Sequence, residues 1–223
     1  MFRISFIAAV MATCTALTTP LHAQSSISIP AVLELSGAGA VSGTNFRDGM
    51  LLAIDEINAK GGLLGRKIDI QLLDTQSDAS VSRAQIQKVL DNDPYVILGP
   101  VFSGSVLVDM ALTQQAEVPE IVGGEAAAIT QKNDPYVFRT SFGQQFSMPK
   151  IANYMRDGVR AKTVAVIWVN NDFGKGGRDT FIKEMATRDI KVVADVSTES
   201  GQADFSADVV KLKEAKTVNG KML

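Results

Sequence analysis

One cysteine and one histidine occur in the 223 residues, Cys14 and His22, and both fall near the start. Met1, Phe2 and Arg3 make a short positive opening, and Ile4 to Leu17 is mostly apolar but too short to span a bilayer as a helix. Leu21-His22-Ala23 then sets a small residue ahead of Gln24. Together these features predict an export signal over residues 1–23, cleaved after Ala23. A lipoprotein signal ending at Cys14 is a poorer fit, because Met11-Ala12-Thr13 precede the cysteine. The processed chain contains no thiol and no imidazole. That excludes cysteine nucleophiles, disulfides, histidine general bases and the usual zinc ligands, and it points to a binder rather than an enzyme.

Charge of one sign is also lacking. The chain has 22 basic and 24 acidic residues; without Arg3, the processed balance is 21 − 24 = −3. The basic residues are dispersed, which argues against a nucleic-acid partner. No second apolar run approaches the length of a membrane span, and a hydrophobic content of 46% supports one large or two small domains with real cores. The expected product is soluble after export, in a periplasm.

What is present alternates. Ile27 to Leu35 reads as a strand, interrupted by Pro30; Thr44 or Asn45 is the expected cap of a helix carrying Phe46, Met50, Ala53 or Ile54, and Ile57, stopped at Gly61-Gly62. Ile68, Ile70 and Leu72 predict a second strand, and Asp78 opens a helix with Val81, Ala84, Val89 and Leu90 inward. Tyr95 to Leu98 predicts a strand covered on both faces, broken at Gly99-Pro100. Ser105 to Gln115 is expected as helix, with strands at Val118 to Val122 and Tyr136 to Thr140.

A second cycle follows. Pro149 is read as a helix opening and Gly158 as its close; Thr163 to Val169 is the most apolar strand. Gly174 to Arg188 predicts a helix with Phe181, Ile182 and Met185 inward, Val192 to Val196 a strand, and Phe205, Val209 and Leu212 a last helix. Such alternation predicts an α/β chain with mostly parallel sheets, and the two cycles predict two lobes joined near Thr140 to Phe146. The expected division is 24–143 and 144–223.

Ligands of such sheets bind outside the carboxyl ends of the strands, so four loops become candidates. Ser36 to Gly43 carries three glycines in a spacing of G-x-G-x-x-x-G, a mismatch to the dinucleotide fingerprint, and Tyr154 is followed four residues on by Gly158 rather than by a lysine. A backbone turn explains the glycines, and Ser42 is the ligand-facing candidate. Gly99 to Ser105 leads from a buried strand into a helix, so Phe102 and Ser103 stand where unpaired amides meet a positive dipole end; Ser103 serves either as a ligand donor or as a helix cap. Gly123, Gly124 and Glu125 form the third loop, Glu125 either lining a pocket or opening the next helix. Asn170 to Gly176 forms the fourth, with Phe173 placed either to cover a ligand or to pack inward.

The segment Asp55-Glu56-Ile57-Asn58-Ala59-Lys60-Gly61-Gly62-Leu63-Leu64-Gly65, with Leu35-Ser36-Gly37, Asp74, Gly99-Pro100, Phe138-Arg139-Thr140 and Asn171 to Gly176, resembles the periplasmic binding proteins of ABC importers for branched-chain amino acids. The resemblance covers residues 27 to 216. It implies the type I periplasmic binding protein fold, two lobes each built on a doubly wound, mostly parallel sheet. It also implies a receptor that closes on an amino acid or related small polar solute and presents it to an inner-membrane permease. It places Ser103 on the ligand carboxylate, with Gly123, Gly124 and Glu125 completing that anchor, and sets Ser42 and Phe173 where aromatic residues often cover the ligand. Glu125 stands where a neutral hydroxyl is usual, which opens the alternatives of an amide, a urea-like compound or an aromatic acid. The resemblance further implies later strands and an acidic partner for the ligand ammonium that this sequence lacks, hence a C-terminally truncated form with its second lobe incomplete. A sensory ligand-binding domain and an exported nucleotide-dependent oxidoreductase are the competing functions.

Overall fold

A computed structural model describes residues 26–215. The export signal expected over residues 1–23, with Cys14 and His22, lies outside the described residues, as do residues 216–223.

Five parallel strands form the first sheet: β1 (Ile27–Leu33), β2 (Ile68–Asp74), β3 (Ile97–Leu98), β4 (Glu120–Val122) and β5 (Val137–Arg139), in the spatial order β2-β1-β3-β4-β5. Parallel neighbours require crossovers, and helices supply them: α1 (Ala40–Ala59), α2 (Ala79–Leu90), α3 (Ser103–Ala116) and the short α4 (Ala128–Gln131). Ala31, Val32 and Leu33 are fully buried, as a strand covered on both faces demands. Val32, Leu73, Ile86, Val89, Ile97 and Val118 make one core cluster, and Val106, Met110, Val122, Ala126, Ile129 and Val137 make another. Each of the Val, Leu, Ile and Met side chains among them contributes roughly 1.5–3 kcal/mol by leaving water.

After β5 the chain enters α5 (Gln144–Asn153), a π-helical turn at Tyr154–Gly158, and a separate parallel pair, β6 (Thr163–Val169) with β7 (Lys191–Thr198). Helix α6 (Asp172–Ala186) joins the pair and α7 (Ser206–Glu214) follows it. Ala152, Val164, Met185 and Ile190 form the core here. The expected parallel α/β architecture with two sheets is therefore found. No described helix is long and apolar enough to cross a membrane.

Several local expectations are corrected. Helix α1 begins at Ala40, directly after a 3-10 turn at Gly37–Gly39, so Thr44 and Asn45 are interior rather than capping, and the Thr44 hydroxyl donates back to the Ala40 carbonyl at 2.6 Å. Asp78 does cap α2, its carboxylate accepting from the amides of Ser80 and Val81. The face α2 buries carries Ser82, Ile86 and Val89, while Ala84 is exposed, because Ser82 is drawn inward by Asp109. Tyr95 lies outside β3 and is exposed, leaving a two-residue strand.

Pro149 sits inside α5 instead of opening it. The helix starts five residues earlier at Gln144, whose side chain is held by the second sheet's loop. In α7 the buried residue is Asp208, and Phe205 and Val209 are largely exposed, so the apolar stripe read there is only partly covered. Pro30 is accommodated because β1 meets β3 at a single register pair, Ala31 with Leu98, one residue beyond it.

Candidate functional site

The order β2-β1-β3-β4-β5 reverses direction between β1 and β3, and the crevice outside the carboxyl ends of those strands is where an α/β sheet opens. A cavity of about 550 Å³ lies there. Ser42, Phe102, Ser103, Gly123 and Glu125 line it from the side of the first sheet, and Phe173 from the first turn of α6, after β6. Gly124 does not reach it: a β-carbon at that position would meet Ile129 at 2.6 Å and Val106 at 3.0 Å, so this glycine lets the wall pack against the core behind.

Ser103 is the first residue of α3, and Phe102 is the cap position, without a side-chain cap bond. The serine is 2% exposed, and its oxygen accepts the amide hydrogens of Glu125 and Ala126, both at 3.1 Å. It is therefore a tie between two loops. Its hydroxyl hydrogen has no acceptor among the described residues, which leaves it free to donate into the cavity.

Glu34, fully buried at the end of β1, accepts from the amides of Val101 and Phe102 at 3.0 and 3.1 Å. A carboxylate of the protein thus sits on the two amides just ahead of α3, while the first-turn amides of Ser103, Gly104 and Ser105 have no acceptor among the described residues. Behind it, burial pushes the Asp109 carboxyl up to about 7, with the charge of Glu34 adding, while the Ser82 hydroxyl and Arg83 oppose the rise. Glu120 is raised by the same cause.

Glu125 stands clear of the first turn of α4, which opens after Ala127, and so does not serve as a helix-opening acid. Its carbonyl accepts from the Gln144 amide at 2.9 Å. Arg139 donates to the Ala126 carbonyl at 3.0 Å and to the Thr130 hydroxyl at 2.9 Å; burial lowers its pKa, and the charge of Glu125 opposes that.

Phe173 is 44% exposed, so it faces the cleft rather than a core. Asn171 caps α6 by accepting from the Gly174 amide at 2.9 Å. The Phe173 carbonyl receives the side-chain amide of Gln144 at 2.8 Å.

The glycines after β1 are structural. Gly37 adopts a φ of 76°, and a β-carbon on Gly43 would lie 2.0 Å from the Glu34 carbonyl oxygen, so α1 can approach β1 only with glycine there. That packing accounts for the spacing without a nucleotide.

Sequence reasoning missed Ser77 and Ser200 in the cavity wall, and within the fourth loop it singled out Phe173 but not Asp172. Ser77 and Ser200 follow β2 and β7, so the rule that picked the other loops, applied to every strand end, finds them. Gln144 gave no signal, because its role depends on a loop 29 residues away.

A family model described as periplasmic binding protein matches residues 26–218. The Leu/Ile/Val-binding protein BraC3 of Rhizobium johnstonii is 28% identical over 195 residues, which are 87% of this chain and 53% of that protein. Among solved structures, the branched-chain amino acid transporter substrate binding protein LivJ from Streptococcus pneumoniae, in complex with isoleucine, is 29% identical with a TM-score of 0.75, covering 84% of this chain and 54% of that one. A type 1 periplasmic binding protein from Bordetella pertussis is 28% identical with a TM-score of 0.79, covering 85% and 53%. The chain spans about half the length of the curated relatives it matches.

Proposed function

The chain belongs to the periplasmic binding protein family, and from that premise we propose that it is part of an exported receptor that captures an amino acid or related small polar solute for an ABC permease. The observation that carries this reading is the cavity at the carboxyl ends of strands from both sheets, lined by six of the seven residues singled out from sequence. In this reading residues 24–143 form the first lobe and 144–223 belong to the second. The Ser103 hydroxyl donates to an acceptor on the solute, and Phe102 and Phe173 cover its apolar part. Ser42 and Gly123 shape the mouth, and Gly124 supports the wall from behind. Relatives near 28% identity are named as binding proteins of transport systems, which supports a non-catalytic role.

The sequence of events is capture on the first sheet's loops, approach of the second sheet's loop, and docking of the closed form on the permease. Residues 1–23 direct export. Calorimetric titration of the purified protein with a panel of amino acids and amides tests the reading: a Kd in the micromolar range or tighter, about −8 kcal/mol, supports it, and no binding across the panel refutes it. N-terminal sequencing of the protein from the periplasmic fraction is expected to begin at Gln24.

A further inference from the structure

We propose that the cavity selects solutes of net positive charge, a basic amino acid or an aliphatic diamine, through Glu125 and Asp172. The proposal rests on the reading of this cavity as the solute site.

Both carboxylates line the cavity, Glu125 from the loop after β4 and Asp172 from the first turn of α6, and no lysine, arginine or histidine among the described residues lines it with them. Neither carboxylate accepts a hydrogen bond or pairs with a cation within 4.0 Å among the described residues. Elsewhere in the second lobe, acids find partners: Asp179 takes Lys175 at 2.8 Å, Glu184 takes Arg188 at 2.7 Å, and Asp195 takes Arg178 and the Trp168 ring nitrogen. Two unpaired anions facing one cavity form a negative site that closure over a solute dries further. Asp172 is exposed and Glu125 half-buried as the cavity stands, so the cost of leaving them uncompensated arises when closure removes their water, and a cation on the solute offsets it.

The amides of Val101 and Phe102 serve Glu34, and those of Glu125 and Ala126 serve Ser103, so the donors left at this wall are the Ser103 hydroxyl and the first-turn amides of α3, enough for one carboxylate. A solute with one carboxylate and no extra cation brings a negative group toward Glu34, Glu125 and Asp172 together. Gly104 keeps Asp172 at the cleft: a β-carbon there would lie 3.0 Å from its Oδ2. Arg139 feels the charge of Glu125 but spends its hydrogen bonds on backbone carbonyls and Thr130. A basic amino acid fits this arrangement with its two cationic groups on the two carboxylates and its own carboxylate toward the Ser103 hydroxyl. A diamine satisfies the two carboxylates alone.

The test is calorimetry of the purified protein at neutral pH and low salt with five probes: lysine, arginine, 1,4-diaminobutane, leucine and benzoate. At least one of the three cationic probes is expected to bind at least tenfold more tightly than leucine and benzoate, with affinity falling as sodium chloride is added. Glu125→Gln and Asp172→Asn are each expected to weaken that binding tenfold or more while keeping a cooperative melt, since both side chains are solvent-accessible and replaced by isosteres. Tighter binding of leucine or benzoate than of every cationic probe overturns the charge selectivity and leaves the receptor reading standing. Cation binding unchanged in both variants overturns the assignment to Glu125 and Asp172. No binding of any of the five probes overturns the selectivity, and the receptor reading then stands or falls on the wider panel of amino acids and amides.

Discussion

The side-chain amide of Gln144 donates to the carbonyl of Phe173 at 2.8 Å, while the Gln144 backbone amide donates to the carbonyl of Glu125 at 2.9 Å. One residue at the start of α5 therefore holds the loop after β4 and the first turn of α6, and it does so almost without exposure to solvent. Beta-carbons on Gly176 and Gly177 would lie 2.9 Å from its side-chain amide, so the two glycines form the slot it fills.

Gln144→Ala is expected to lower stability by about 1 kcal/mol or more, from the lost hydrogen bond and the space left in a close-packed slot. Chemical denaturation followed by circular dichroism measures it. Gln144→Glu is expected to cost more at neutral pH than at pH 4, because the glutamate cannot donate to Phe173 while ionised. Equal loss at both pH values contradicts the donor role.

Ser103→Ala removes the acceptor of two backbone amides as well as a hydroxyl donor. The expected loss of stability is about 1–3 kcal/mol, larger than a single exposed hydrogen bond accounts for, because Glu125 and Ala126 amides are left without their partner in a buried wall. Ligand affinity is expected to fall with it. A variant as stable as the parent shows that the tie between the loops is dispensable.

Asp109 makes stability depend on pH. Its folded pKa of about 7 lies above the ordinary 3.8, so the folded state binds more protons than the unfolded state between those values. Stability is therefore greatest below pH 4 as far as this group is concerned, and falls as pH rises through 7, by about 1.4 kcal/mol per pH unit at full effect. Glu120, raised by burial, acts in the same direction. Asp109→Asn is expected to flatten the decline in denaturation midpoint between pH 5 and pH 8; an unchanged slope refutes the assignment.

Gly43→Ala is expected to destabilise by about 3 kcal/mol, at the upper end of overpacking costs, because its β-carbon meets the Glu34 backbone rather than a side chain that can turn aside. Gly49→Ala, with nothing within 4 Å, is the control and is expected to stabilise α1 by roughly 0.5–1 kcal/mol. Thermal melts of the two variants make the comparison.

Alternation of apolar runs with helical periods determines the strands and crossovers, since a strand of a parallel sheet covered on both faces is apolar throughout and is followed by a crossover. Ile27, Ile68 and Thr163 all start strands as read, and Asp78 caps α2 because its side chain bonds amides only two and three residues on. Loops at strand ends followed from the same logic, which is why Ser42, Ser103, Glu125 and Phe173 meet at one cavity. Interactions over longer separations were not legible. That Pro149 lies within α5, that Ser82 rather than Ala84 faces inward, and that Gln144 binds Phe173 each depend on a partner at least 25 residues away or on another element's packing. Local sequence carries periodicity and capping, whereas Glu125 and Asp172 line one cavity only because two separate sheets bring the loop after β4 and the start of α6 together.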